Sequence, residues 1–257
     1  MGSEMPEIQW QRISSNRTLV LDGLALAPRG VLFPLERTVD LSQVQKLRSN
    51  TRRRISWTVI FLKAYALVAA RHPQLRKTYL GWPWPHLLEQ RDNVGMVVIN
   101  RVFENEDRIC WGSFPRPETM SLFELQAMLD AYQQEPVEKI FRKQVRFSRM
   151  PLLVRRAIWW FNLNLARRKR AKRLGTFTMS SLAGQGTINR FHQTLLTTSL
   201  SFGPLDEAGS ALLSLICDHR VLDGAVGARA LEDLEKTLNG AIVTELRMLQ
   251  KSRSAAA

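Results

Sequence analysis

The stretch Asp218-His219-Arg220-Val221-Leu222-Asp223-Gly224 decides how the chain is read. It follows an apolar run, Ala211-Leu212-Leu213-Ser214-Leu215-Ile216-Cys217, whose length and bulk suit a buried strand. It precedes a helical stretch from Ala225 to about Leu238, with Asn239-Gly240 as the expected stop. His219 therefore falls where a core strand gives way to a helix. A backbone held by the sheet can present the ring to a cleft, and an unperturbed imidazole, with a pKa of about 6.5, takes up and returns a proton near neutral pH. A histidine beside an aspartate at a strand end is also an ordinary satisfied polar pair, so this residue alone does not separate catalysis from structure.

Three further segments stand upstream: Asn93-Val94-Gly95-Met96-Val97-Val98, Ser121-Leu122-Phe123-Glu124-Leu125 and Gly175-Thr176-Phe177-Thr178-Met179-Ser180-Ser181-Leu182. With the pattern D-H-R-x-x-D-G at residues 218–224, they resemble, in the same order, the N-V-G-I-A-V strand, the S-L-x-E-L helix start, the G-x-F-T-I-S-S/N-L segment and the active-site signature of the 2-oxo acid dehydrogenase acyltransferase (E2) catalytic domains. That family shares its fold with chloramphenicol acetyltransferase. The resemblance spans about residues 33–245. The related condensation domains carry H-H-x-x-x-D-G, and Asp218 in place of the first histidine favours the E2-like branch.

The resemblance implies an α+β fold: a chloramphenicol acetyltransferase-like two-layer sandwich, a mixed sheet covered by helices. It implies that His219 is the general base and Ser180 the donor to the tetrahedral oxyanion, with Ser181 facing the other side of its strand. It places Asp223 in an ion pair that holds the loop, with Arg220 or Arg37 as the partner, and Gly224 in the turn into the helix. It further implies a homotrimer in which the histidine of one subunit faces the serine of the next. Coenzyme A would enter as the acyl-CoA substrate, unless a separate acyl carrier supplies the thioester. No lipoyl-lysine hairpin and no Ala/Pro-rich linker precede Val31, so a free-standing acyltransferase is expected rather than the core of a dehydrogenase complex.

The chain has 257 residues, enough for one large domain or two small ones, and an ordinary apolar content of 45%. Residues 1–30, with Pro6, Gly23, Pro28 and Gly30, read as an irregular arm, residues 31–250 as the catalytic domain, and residues 251–257 as a loose tail. Ser56 to Arg71 is apolar almost all round and should be a buried helix, with Lys63 reaching an edge or a carboxylate. His72, just before Pro73, reads as structural. Trp82-Pro83-Trp84-Pro85-His86 is a rigid aromatic turn, either a packed loop or a wall of a substrate tunnel. The two cysteines, Cys110 and Cys217, give neither a metal spacing nor a disulfide framework, so no metal is expected and a reducing, cytoplasmic setting is. No basic-then-apolar signal pattern opens the chain.

The net charge of +14 is concentrated: residues 142–173 hold twelve Lys and Arg and no acid. Within this basic amphipathic insertion, Trp159 and Trp160 are flanked by Arg155 and Arg156 on one side and by Arg167 and Arg168 on the other. The uncharged stretch between those arginines is too short to span a bilayer, which takes about 20 residues. Two readings stay open: a helix lying in the interface of an anionic membrane, making the protein peripheral there, or a helix packed on its own domain or a neighbouring subunit. Nucleic acid ranks last, because no recognition motif accompanies the charge. The non-enzymatic alternatives are a trimeric scaffold that has lost the chemistry and a membrane-surface binding protein of the same fold.

Overall fold

The order of the chain and the reach of its apolar runs produce one mixed sheet with helices on both faces. The computed structural model describes residues 13–28, 30–51, 53–165 and 169–254. Its helices are α1 Ser15–Leu26, α2 Ser42–Ser49, α3 Trp57–Arg71, α4 Leu122–Gln134, α5 Val137–Ile140, α6 Arg142–Ser148, α7 Leu152–Asn164, α8 Arg170–Leu174, α9 Gly224–Thr237 and α10 Val243–Ser254. The strands are β1 Leu32–Asp40, β2 Lys77–Leu80, β3 His86–Glu89, β4 Val94–Phe103, β5 Glu106–Pro115, β6 Phe177–Met179, β7 Thr198–Leu205 and β8 Ser210–Asp218. The main sheet has the order β1-β8-β7-β6-β4-β5, and β2 and β3 form a separate hairpin. β6 is parallel to both its neighbours, while the β1–β8, β7–β8 and β4–β5 pairs are antiparallel. The sheet is thus mixed, as the α+β reading requires.

Local sequence chemistry sets the element ends. Ser56 caps α3, its hydroxyl accepting from the Val59 amide at 3.3 Å. Ser121 and Glu124 form a reciprocal capping box at the start of α4. The tight β4–β5 turn has Glu104 and Asn105 both in the left-handed region, at φ 54 and 60°, which matches the twist of the paired strands.

One face of the sheet carries the main core. α3 sits at its centre, with Phe61 stacked on Phe202 of β7 and Tyr65 edge-on to Phe177 of β6. Each such large apolar side chain contributes about 1.5–3 kcal/mol when buried. The Tyr65 hydroxyl donates to Thr198 Oγ1 at 2.8 Å, so the ring's polar end is satisfied inside the core. Lys63 pairs with Glu245 of α10, and that carboxylate also accepts from the Leu122 amide at 2.9 Å. This joins three helices through the one charged residue of α3's apolar interior. His72 ties α3 to α9 through Asp233 at 2.6 Å. The glycines of two quoted motifs are steric requirements. A Cβ at Gly95 would lie 2.5 Å from Leu62 and 2.9 Å from Phe177, and one at Gly175, where φ is +90°, would lie 2.2 Å from Met96.

Three expectations are corrected. The N-terminal region contains a regular helix, α1, not an irregular arm throughout. Asn16 and Asp22 are buried in it, Asn16 bonding the Phe103 carbonyl and the Arg108 guanidinium, so long-range contacts stabilise a segment with little apolar periodicity. Asn239-Gly240 does not stop the C-terminal helix. A wider five-residue turn over Leu238–Ile242 leads directly into α10, because Leu238, Ile242 and Leu246 are all fully buried in the core. The strand expected from Gln193 begins only at Thr198, since the preceding residues are pinned across the sheet by side chains of β6, β7 and β8.

Candidate active site

β1 and β8 run side by side to their shared end, where Leu32 opposes Asp218. The His219 amide then donates to the Val31 carbonyl at 2.8 Å, so the last rung of this ladder fixes the backbone of the histidine. The His219 ring lies against Phe33, 4.9 Å between centroids, and its side chain is 60% exposed. Asp218, by contrast, is buried and turns back into its own motif. Its carboxylate accepts from the Arg220 amide at 3.0 Å, from Arg220 Nε at 2.9 Å and from Arg220 Nη2 at 2.6 Å. The guanidinium lies over the Tyr79 ring at 4.5 Å. This Asp–Arg clamp, formed by the residues immediately before and after His219, was not recognised as a structural device in the sequence. The readable signal was the i, i+2 spacing of opposite charges around the histidine.

The expected ion pair to Asp223 does not form in this chain. Arg220 is engaged by Asp218, and Arg37 pairs with Glu235 of α9 at 2.7 Å. Asp223 instead stands at the N-cap position of α9 without a side-chain capping bond, its side chain 84% exposed and its Oδ1 3.5 Å from His219 Nδ1. That is within ion-pair reach but too long for a hydrogen bond. Gly224 is the first residue of α9. A Cβ there would meet nothing within 4 Å and no left-handed φ is required, so the turn itself does not demand glycine.

Ser180 and Ser181 separate as the strand geometry predicts. The Ser181 hydroxyl donates to the Phe202 carbonyl at 3.0 Å and accepts from the Ala183 amide at 3.1 Å. Ser180 is held through its amide, which donates to the Leu200 carbonyl at 3.0 Å. Its hydroxyl makes no hydrogen bond among the described residues. Ser180 and His219 stand at opposite ends of the sheet. Met179 aligns with Leu200 and Leu200 with Leu215, so Ser180 lies one residue beyond that row and His219 four residues beyond it the other way. At about 3.3 Å per residue and about 4.8 Å per strand, the two are roughly 19 Å apart in one chain.

Cys217 is buried, and burial pushes its thiol up to about 12, which leaves it an inert core group.

The basic insertion folds over the other face of the sheet as α6, α7 and α8. α7 is two-sided. Arg155, Ile158, Trp159 and Asn162 face inward at i, i+3, i+4 and i+7, and Leu153, Trp160 and Phe161 face out at 82%, 46% and 47% exposure. Of the expected surface contacts, Trp160 is outward and Trp159 is not, because consecutive helical residues point about 100° apart. Arg155 is likewise internal. Its guanidinium binds Asp22 of α1 at 2.7 Å, with Arg156 on the same carboxylate at 3.2 Å. Both charges tie α7 to α1; Arg155 is buried there, whereas Arg156 stays partly exposed. Arg167 and Arg168 lie outside the described residues. Arg170 folds back on the α7 C-terminus, donating to the carbonyls of Asn162 and Leu163, and its burial lowers it to about 10. Trp82 of the aromatic turn meets Trp160 edge-on at 5.9 Å. Among the described residues no helix is long and apolar enough to cross a membrane.

Between this insertion, α1 and the sheet lies a cavity of about 640 Å³. His192, which the sequence offered no reason to single out, lines it. Its Nε2 is 2.7 Å from Ser199 Oγ, its Nδ1 is buried without a partner, and burial lowers its pKa.

Neither a family model nor any curated protein matches the sequence. Solved structures do match the fold. The truncated catalytic core of the 2-oxoacid dehydrogenase multienzyme complex from Thermoplasma acidophilum aligns over 91% of this chain and 99% of its own, with a TM-score of 0.68 and 16% identity. Dihydrolipoamide acetyltransferase from Azotobacter vinelandii, a structure concerned with a serine, a histidine and an asparagine in the catalytic mechanism, aligns over 93% and 99%, with a TM-score of 0.63 and 15% identity. Chloramphenicol acetyltransferase aligns over 89% and 99%, with a TM-score of 0.51 and 11% identity. The fold is therefore that of the E2 catalytic cores and chloramphenicol acetyltransferase.

Proposed function

We propose that the protein is an acyltransferase that moves an acyl group from a thioester, acyl-CoA or a carrier-bound equivalent, to a thiol or hydroxyl acceptor at a site shared between two subunits. The observation that carries this reading is the placement of the two motif residues. The hydroxyl of Ser180 has no hydrogen-bond partner among the described residues, the ring of His219 is exposed, and roughly 19 Å separates them in one chain. A reaction using both needs a second copy, arranged head to tail so that each Ser180 meets a neighbour's His219, as in the homotrimer implied by the sequence resemblance.

In that site His219 Nε2, which no described residue engages, takes the proton from the acceptor. The freed sulfur or oxygen attacks the thioester carbonyl, and the oxygen of the tetrahedral intermediate accepts a hydrogen bond from Ser180. Collapse expels the thiolate, which receives the proton from the imidazolium. Asp223, 3.5 Å from Nδ1, attracts the positive charge that the ring acquires. The Asp218–Arg220 clamp keeps the turn in place. The likeness to known acetyltransferases supports the reaction class. The test is acyl exchange from acyl-CoA: His219→Ala should abolish it with the oligomer intact, and Ser180→Ala should lower it by about 10²–10³. Exchange unchanged in His219→Ala would leave a trimeric scaffold as the better reading.

A second element of the proposal is contact with an anionic membrane, favoured by one observation. Two aromatic segments far apart in sequence converge, Trp82 on Trp160, beside exposed Leu153, Phe161 and Trp84. Exposed aromatic and aliphatic groups on a helix of this basic insertion suit the headgroup boundary. Flotation with vesicles containing phosphatidylserine should retain the parent and lose a Trp160→Glu, Leu153→Glu variant. Equal flotation would assign the patch to subunit packing.

A further inference from the structure

The cavity under α7 is neutral inside and cationic at its edge. Lys143 and Arg173 are the charged residues of its lining, and both are exposed. The other walls are contributed by apolar groups such as Leu19, Met96, Val98 and Trp111. Most of the polar side chains that line it are already occupied by the protein, and Gln193, which makes no side-chain hydrogen bond among the described residues, is exposed at its rim. Gln144 bonds the Trp111 amide and carbonyl at 3.1 and 2.7 Å. Asn162 donates to the Ile158 carbonyl and accepts from Arg173, each at 2.7 Å. Thr178 and Thr194 hold each other at 3.1 Å. The remaining unpartnered atoms, His192 Nδ1 and Trp159 Nε1, are buried. A polar ligand would find few groups to bind, whereas an aliphatic one needs none. The volume of about 640 Å³ is in the range of pockets that take small molecules. At about 30 Å³ for a water-sized group it holds roughly 20 of them.

The cavity also ends near the proposed chemistry. Thr178 lines it, and Ser180, just past the end of β6 with its amide still bonded to the Leu200 carbonyl, follows two residues later, about 6.6 Å further on if the extended course continues. An acyl carbonyl at the Ser180 hydroxyl would have its chain directed along this strand. We infer that the cavity is the acyl-chain pocket of the proposed transferase, built by the insertion to accept a linear aliphatic tail; a dodecanoyl chain, with roughly a dozen carbons, fits within the roughly 20 groups that the volume admits. This rests on the acyltransferase reading and adds to it the substrate class.

Gly23 supplies the test. It lies on α1 in the cavity wall, and a Cβ there would meet nothing within 4 Å. Gly23→Phe therefore fills the space without a clash at its root, and it replaces a residue that disfavours the middle of a helix. kcat/KM would be measured with acetyl-CoA and dodecanoyl-CoA in the parent and in Gly23→Phe, beside His219→Ala. Binding of the fluorescent fatty acid cis-parinarate and the oligomeric mass would be followed in parallel. The expected result is a loss of at least about tenfold with dodecanoyl-CoA, weakened parinarate binding, and acetyl transfer and oligomer mass unchanged. Equal effects on both donors, or undiminished parinarate binding, would overturn the pocket assignment while His219 dependence kept the transferase reading intact. A change of oligomer with no change in chain-length preference would show that a second copy fills the space, and would overturn it too. If neither donor turns over, the parinarate comparison decides alone.

Discussion

Mixing two inactive variants should restore activity, and the amount follows from the sheet. One protomer type carries His219→Ala and keeps Ser180, and the other carries Ser180→Ala and keeps His219. Because the two residues are roughly 19 Å apart within a chain, each site would draw its serine from one subunit and its histidine from the next. In oligomers reassembled at random from an equal mixture, a site is whole when the serine donor is the first type and the histidine donor the second. That happens with probability one half times one half, so about a quarter of parent activity should return. Neither variant alone should approach this, since the first lacks the base and the second lacks an oxyanion donor worth about 10²–10³ in rate. The assay is acyl exchange from acyl-CoA after unfolding and joint refolding, with the separately refolded variants as controls. Activity in the mixture no higher than the mean of those controls would refute a shared site, provided that mass spectrometry shows mixed oligomers.

Three other outcomes are expected. Gly175→Ala should destabilise the fold by about 1–3 kcal/mol in urea melts, because φ is +90° and the new Cβ would lie 2.2 Å from Met96; a neutral effect would mean that the β6 entrance relaxes freely. Asp22→Asn should cost about 3–5 kcal/mol, since it leaves the buried Arg155 without its counter-charge, while the double change Asp22→Leu, Arg155→Met should recover much of that loss; a single-variant cost under about 1 kcal/mol would show that the pair does not anchor α7. Burial holds His192 below its ordinary value of 6.5, so the unfolded chain takes up a proton there before the folded chain does. Stability from this group is present above about pH 6.5 and is lost as the pH falls toward the depressed folded value, and His192→Gln should remove that part of the slope in urea midpoints; identical slopes would refute it.

Legibility differed by the kind of signal. Helix α3, the capping box at Ser121 and the strand β8 were readable because each is set by neighbours in sequence: an apolar run, an i, i+3 side-chain pair, a bulky run before a turn. Helix α1 was not, since its order comes from Asn16 meeting Arg108 and Asp22 meeting Arg155, partners about 90 and 130 residues away. The continuation of α9 into α10 was hidden for a similar reason. Gly240 is a local stop signal, and the core contacts of Leu238, Ile242 and Leu246 override it.

The candidate residues divide the same way. The resemblance of the motifs to a known family singled out His219 and Ser180, and the two-residue alternation of a strand separated Ser180 from Ser181. Where those residues stand relative to one another depended on strand order and register, which pairwise spacing along the chain does not encode. The same holds for charge. Sequence counts twelve cations in the insertion, but only folding turned Arg155 and Trp159 inward, left Trp160 outside and put a cavity beneath them. Local propensity is written in adjacent residues; the pairing of distant polar groups and the space left between packed elements exist only once the chain has closed on itself.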